Sequence, residues 1–404
     1  MQFKTFDIIP HDTKFDFVGK RHIAVTLSLI ANATIILWAV IHGLNFGVDF
    51  AGGTELEVKF TQMVDAASIR KSLEELGLKD ASVQTYGPES DHSYLIRVGR
   101  IALMSQDDVN RVVQAVQAKY PLRGAANFNP EMGDKIDFQF QGTPPSPAQL
   151  RATVEAAGVQ VRDVREEAGL VAGTKSFAVI TQGIQDKVER GLSARFADAS
   201  PKDVAGKPEP VRRVEYVGPA VGRELRNQGF KAIIYAMALI VVYVGLRFDF
   251  RFSPGVIIAL IHDAVITLGY FAFSAREFNL TSVAVILTVI GYSVNDTVVV
   301  YDRIRENQAK LKGKRLADLV NVSINEVLGR TFLTSFATAL SLVGLLVYGI
   351  GTIFDFSAAM LVGIISGTYS TWFIAAPMTI WLEERAARKG TAPHAEGAAA
   401  RVAR

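Results

Sequence analysis

FNLTSVAVILTVIGYSVNDTVVVY, residues 278–301, runs for 24 residues with one charged side chain, Asp296. As an α-helix rising 1.5 Å per residue it would reach roughly 36 Å, more than the ~30 Å hydrocarbon core of a bilayer. It reads as a transmembrane helix with a carboxylate inside it. Five further stretches are similarly depleted of charge: 23–46, 232–246, 252–275, 331–354 and 356–382. The six together hold 138 of the 404 residues but only two of the 83 Asp, Glu, Lys and Arg side chains. A chain divided this way is not a simple soluble enzyme. It is a polytopic α-helical membrane protein with six spans and a large polar remainder.

Six spans place both termini on one side. Basic residues cluster at 4, 14, 20 and 21, at 247 and 251, through 302–330, and after 382. The short opposite loops, 276–277 and 355, hold only Arg276. The positive-inside rule makes the basic side cytoplasmic. The chain then reads as a cytoplasmic segment 1–22, span one at 23–46, an extracytoplasmic domain 47–228, spans two to six within 229–382, and a disordered tail 383–404. A cleaved signal peptide is the alternative for 23–46, but the apolar run is too long and no A-x-A site follows. Span two is short, and Lys231 and Arg247 at its ends can snorkel. In the cytoplasmic loop 302–330, Leu316, Leu319, Val320, Ile324, Val327 and Leu328 predict an amphipathic helix on the membrane interface. Phe3, Phe6, Ile8, Ile9, Phe15 and Phe17 are expected to touch the same interface.

The exported segment contains an internal repeat. ELEVKF (55–60), ASIRKSLEELG (67–77), ASVQTYG (81–87), SYLIRV (93–98) and DDVNRVVQAVQAKY (107–120) are echoed by KIDFQF (135–140), PAQLRATVEAAG (147–158), VQVRDVREE (159–167), SFAVIT (176–181) and IQDKVERGLSARF (184–196). Period-2 and period-3.6 patterns alternate as β-α-β-β-α in each unit. The units are placed at about 54–123 and 134–217, with GAANFNPEMG (124–133) as linker. VRRVEYV (211–217) would complete a ferredoxin-like α+β sheet for the second copy. The alternative is chance similarity between two generic α+β stretches.

Much chemistry is excluded. There is no Cys, so no disulfide, thiolate nucleophile or Cys-based metal site. The six His are scattered without an i, i+4 pair, and no metal is expected. GLVAGTKS (169–176) resembles a phosphate loop, but Thr174 separates Gly173 from Lys175. No hydrolase motif occurs, so no catalytic residue and no cofactor is expected. A net charge of +3 gives no reason to invoke nucleic acid.

Two carboxylates lie inside spans, Asp263 beside His262 and Asp296 in IGYSVNDTVVVYDRIREN (290–307). A carboxylate in hydrocarbon must be neutral, paired or wet, and by default marks a proton or ion pathway. The alternative is a polar staple between helices. Thr331, Thr334, Thr338 and Ser341 recur at spacings of three and four after Arg330. They would line either a hydrated path or an ordinary interhelical contact. Gly363 and Gly367 form a G-x-x-x-G pair suited to close helix packing.

FGVDFAGGT (46–54), VEYVGPAVGREL (214–225), RFDFRFSPGVIIALIHDAVITLG (247–269), GYSVNDTVVVYDRIREN (291–307) and INEVLGRTFLTS (324–335) together resemble the SecF subunits of the bacterial Sec translocase, in the SecD/SecF family. Motif positions include Asp49, Gly52, Gly53, Gly218, Pro219, Gly222, Asp302 and Arg303. The resemblance implies half of a resistance-nodulation-division-type assembly in the bacterial inner membrane. It implies SecD as partner, the SecYEG channel and YajC nearby, and preprotein at the extracytoplasmic domain. A proton gradient, or sodium in some members, would drive it, with Asp296 and Arg330 carrying the coupling. Asn295, Thr334 and Asp263 complete the candidate ion-coupling set. Family members usually carry one compact exported unit, and this chain departs from that by holding two. The competing function is half of an exporter of lipids or small molecules, and a third is a non-transporting scaffold for membrane assembly.

Overall fold

The computed structural model describes residues 13–87, 89–99, 102–129, 134–168, 175–203, 205–248 and 253–388. It contains two compact units, Phe46–Arg226 and the membrane part, Met1–Asn45 with Asn227–Arg404. In chain order, α1 (Arg21–His42) is followed by α2 (Val48–Ala51), β1 (Gly53–Lys59), α3 (Ala66–Glu75), β2 (Ser82–Thr85) and β3 (Ser93–Val98). Then come α4 (Gln106–Gln117), β4 (Asn127–Phe128), β5 (Lys135–Gln139), α5 (Pro147–Ala156), β6 (Val161–Ala168), β7 (Lys175–Thr181), α6 (Ile184–Arg195) and β8 (Val211–Val217). Helix starts are set locally. Asp65 caps α3, while Ser105 with Asp108 and Ser146 with Gln149 close capping boxes on α4 and α5.

The strands form two antiparallel sheets, ordered β2-β3-β1-β8 and β4-β5-β7-β6. Alternation along β1 and β3 turns Leu56, Val58, Tyr94 and Ile96 inward, onto Ile69 and Leu73 of α3 and Val188 and Leu192 of α6. In the second sheet Ile136, Phe138, Phe177 and Val179 meet Leu150 and Val154 of α5, and Val109, Val112 and Val116 of α4.

These two cores correct the division into tandem units 54–123 and 134–217. Helix α4 covers the second sheet, whereas α6 and β8 complete the first; Val214 of β8 stands opposite Leu56 of β1. The second core draws only on residues between Met104 and Val179. It is therefore one contiguous body inserted between β3 and α6 of the first. Its order, αββαββ, is the ferredoxin-like βαββαβ with the closing αβ pair moved to the front. The expected linker contains β4, and 130–133 lie outside the described residues. The repeat misled because a helix with an apolar stripe announces that it covers a sheet, not which sheet.

Asp134 closes the base of the inserted body. Its Oδ1 accepts N–H bonds from Leu103 (2.7 Å) and Met104 (3.0 Å), where the chain crosses in. Its carbonyl accepts from the N–H (2.8 Å) and hydroxyl (3.1 Å) of Thr181, where the chain crosses back.

The membrane part adds α7 (Pro219–Arg247), α8 (Ser253–Ser274), α9 (Leu280–Lys310), α10 (Leu316–Tyr348) and α11 (Thr352–Ser370), a π-helical turn Thr371–Ala375, and α12 (Ala376–Arg388). Among the described residues, six helices are long and apolar enough to cross a membrane, the sixth being Thr352–Leu382. Three expectations are corrected here. The helix expected within 302–330 is present, as the start of α10 at Leu316 with α9 continuing to Lys310, but its setting differs. Leu319, Val320, Ile324 and Leu328 are buried against protein instead of lying on the membrane interface. Phe17 is also buried, packed on Trp372 and Phe373, while Asn321 and Asn325 bind the backbone of Phe17 and Phe15. The tail remains helical to Arg388. Residues 389–404, and Phe3, Phe6, Ile8 and Ile9, lie outside the described residues.

Candidate intramembrane polar site

Helix α9 starts at Leu280 because Asn279 caps it, accepting a bond from the Ser282 N–H while Ser282 Oγ accepts from the Asn279 N–H. Sixteen residues on, roughly 24 Å along the axis, stands Asp296. It is 2% exposed. Its Oδ2 accepts one long bond, 3.3 Å, from Ser335 Oγ of α10. Ser335 in turn lies 2.8 Å from Thr368 Oγ1 of α11. The carboxylate thus faces the seam of α9, α10 and α11, lightly held.

The neighbouring candidates are arranged differently. Asn295 and Arg330 lie on the exposed side of the bundle, and among the described residues no ion pair joins Arg330 to Asp296. Thr334 is exposed, and its hydroxyl donates to the Thr331 carbonyl of its own helix (2.9 Å). Thr338 bonds back to Thr334, and Ser341 to Thr338. The hydroxyl that reaches Asp296 is therefore Ser335. Its position four residues after Thr331 was a readable signal that attention to Thr334 missed. Thr331 itself is buried, and its Oγ1 has no partner among the described residues.

Asp263 of α8 is completely buried and densely held. Ser366 Oγ (2.6 Å) and His262 Nδ1 (2.9 Å) reach Oδ1, and Ser293 Oγ (2.6 Å) and Ser370 Oγ (2.7 Å) reach Oδ2. Ser293 belongs to α9, and Ser366 and Ser370 to α11. None of these serines stood out in the sequence, because serine in a span is common and its spacing alone names no partner.

Glycine makes these contacts possible. A Cβ on Gly363 would lie 2.2 Å from Val289 Cγ2, and one on Gly367 would lie 3.0 Å from Ser293 Cβ. The G-x-x-x-G face of α11 is thus pressed against α9, at the level of the Asp263 cluster.

The remaining motif residues serve the unit Phe46–Arg226 and the C-terminal end of α9. Gly52 has φ +76°, and a Cβ there would sit 2.8 Å from Pro219 Cα. Gly53, at φ +124°, would collide with the Val98 carbonyl, and Gly222 packs on Gly52 and Phe50. Gly218 accepts the N–H of Gly222, starting α7. Asp49 lies in α2. Arg303 binds Glu326 (2.6 Å) and Glu306 (2.5 Å), and Asp302 is exposed.

Comparison with known proteins gives a consistent result. Residues 199–385 match the family "Protein export membrane protein SecD/SecF, C-terminal", and 38–62 match the "SecD/SecF GG Motif". The chain is 35% identical over 395 residues to the protein translocase subunit SecF of Koribacter versatilis, covering 94% of this chain and 95% of that one. It is 34% identical over 385 residues to that of Magnetococcus marinus, covering 95% and 97%. Among solved structures, SecDF of Thermus thermophilus, a translocon-associated membrane protein, matches with TM-score 0.63 and 28% identity over 92% of this chain. SecDF in a super-membrane-facing form matches with TM-score 0.55 and 28% identity over 94% of it. This chain spans 39% and 40% of those two SecDF chains.

Proposed function

Since this chain belongs to the SecF family of protein-export membrane proteins, as its 35% identity across nearly the whole length of a relative establishes, we propose that it is an accessory subunit of protein translocation. It uses the proton or sodium motive force to promote preprotein export across the bacterial inner membrane. The observation that carries the ion-coupled part is Asp296, a buried intramembrane carboxylate held by one 3.3 Å bond. A group so lightly held can gain or lose a proton, or exchange it for sodium, with little rearrangement of helix contacts. Arg330 and Asn295 present polar groups on the outer side of the same helices, and with Thr334 they make up the rest of the coupling surface.

That polar face is the proposed seat of SecD, since six helices make half of a two-part bundle. SecYEG and YajC are the proposed further partners, with preprotein at the extracytoplasmic domain. No catalytic residue or bound cofactor is part of this reading. The test is a pulse-chase of preprotein export in cells carrying Asp296→Asn, with and without an uncoupler. The expected result is slow, uncoupler-insensitive maturation at normal membrane levels. Export at wild-type speed that still responds to uncoupler removes Asp296 from the coupling.

A further inference from the structure

The two buried carboxylates are built for opposite purposes. A carboxylate offers about four lone-pair sites. At Asp263 three serine hydroxyls and one imidazole nitrogen occupy them, at 2.6, 2.6, 2.7 and 2.9 Å, from Ser293, Ser366, Ser370 and His262. Three of these bonds, from Ser293, Ser366 and Ser370, also tie α8 to α9 and α11, and a proton arriving on the carboxylate would require at least one of the four to reorient. At Asp296 one donor stands at 3.3 Å. The two groups are served by alternating residues of α11: Ser366 and Ser370 turn to Asp263, and Thr368 turns to Ser335 beside Asp296. Among the described residues no direct hydrogen bond joins the two clusters.

What Asp263 does hold is geometry. Through Ser293 it grips α9 about one turn before Asp296, and residues three apart share a side of a helix. Through Ser366 and Ser370 it grips α11 on both sides of Thr368. Gly363 and Gly367 bring α11 close enough for this, and Thr297 and Thr371, 2.9 Å apart, repeat the link one turn further along. We propose that Asp263 is a positioning residue: a fixed, fully hydrogen-bonded joint between α8, α9 and α11 that sets the position of Asp296 and does not itself exchange ions during transport. The proposal rests on the reading of Asp296 as carrier for its purpose, but not for its geometry.

Asparagine can keep the joint. Its Oδ1 accepts two bonds, and its amide donates to serine hydroxyls that rotate to receive it. Leucine cannot. The full chain, purified with its partner and reconstituted, is followed by infrared difference spectroscopy across a pH titration, and export is measured by pulse-chase in cells. The expected results are these. Asp263→Asn slows export by about threefold, the scale of one interhelical hydrogen bond, and leaves the pH midpoint and uncoupler response of wild type. Asp263→Leu lowers the thermal midpoint of the purified protein. The protonated-carboxyl band that titrates in wild type persists in Asp263→Asn and vanishes in Asp296→Asn. Loss of that band in Asp263→Asn, or a moved pH midpoint, overturns the proposal. A band that survives both substitutions defeats Asp296 as carrier while leaving Asp263 as a joint.

Discussion

Asp134, in the unit Phe46–Arg226, shows what burial does to a carboxyl that only backbone amides support. Burial pushes it up to about 6, against the opposing pull of the Met104 and Leu103 N–H groups, and the negative charge of Asp186 adds to the rise. The folded form therefore holds its proton more tightly than the unfolded chain, whose Asp titrates near ~3.9. By linkage, this residue's contribution is most favourable below about pH 4, declines as pH rises to about 6, and stays unfavourable above that. Asp134→Asn keeps an oxygen for both amides and removes the charge. Urea unfolding of residues 46–226 should show it more stable than wild type at pH 7 by about 1–2 kcal/mol, with the gain fading toward pH 4. A gain independent of pH would mean the charge is not the source. At Asp296, Ser335→Ala removes the one donor seen on that carboxylate. The expected result in a pulse-chase series at several external pH values is a shifted midpoint of pH-dependent export, not a uniform loss.

At the level of elements, α9 and α11 approach closely at Gly363. Gly363→Ala places a methyl 2.2 Å from Val289 Cγ2, and overpacking of that kind costs about 1–3 kcal/mol. The thermal midpoint of the purified protein should fall, and Val289→Ala in the same chain should restore much of it. Failure of that rescue would mean the helices separate for another reason. The same elements mark how far sequence alone could be read. Six spans were legible because a stretch of about twenty residues without charge is what a bilayer core demands and a water-facing helix cannot sustain. Asp296 and the glycine pair stood out as exceptions to that depletion or as a spacing. Ser293, Ser335, Ser366 and Ser370 did not, since a hydroxyl's partner depends on which helices meet. The length of α9 beyond the apolar core was hidden for a related reason, whereas the helix at 316–328 was legible from its stripe and only its setting was not. Polar helix that leaves the membrane resembles a loop in composition, and an apolar stripe suits a membrane interface and a protein contact alike; burial of Leu319, Val320 and Ile324 selects the second.

For the whole molecule, the absence of cysteine from the sequence makes topology easy to test. In intact cells, Lys119→Cys should react with an impermeant maleimide added outside, and Lys312→Cys only after the membrane is opened; the reverse pattern would invert the proposed orientation. The inserted body gives a second test. Its core is confined to residues 104–179, so a fragment 103–182 should fold alone, with a cooperative urea transition and dispersed amide resonances; a collapsed fragment without a transition would show that it depends on the first sheet. The repeat itself was visible in the sequence, but its wiring was not, because α4 and α6 carry equivalent apolar stripes. That wiring has a mechanical meaning. A body joined to its host by two crossings side by side, clasped by Asp134, hangs as a pendant. It also leans on α6, with Arg162 of β6 3.6 Å from Asp186 and Gln160 3.4 Å from Arg190, so a pull on its far end would reach the host between β3 and α6 and along that helix. A load on the pendant would thus be borne by one helix of the host, α6, before it reached the sheet.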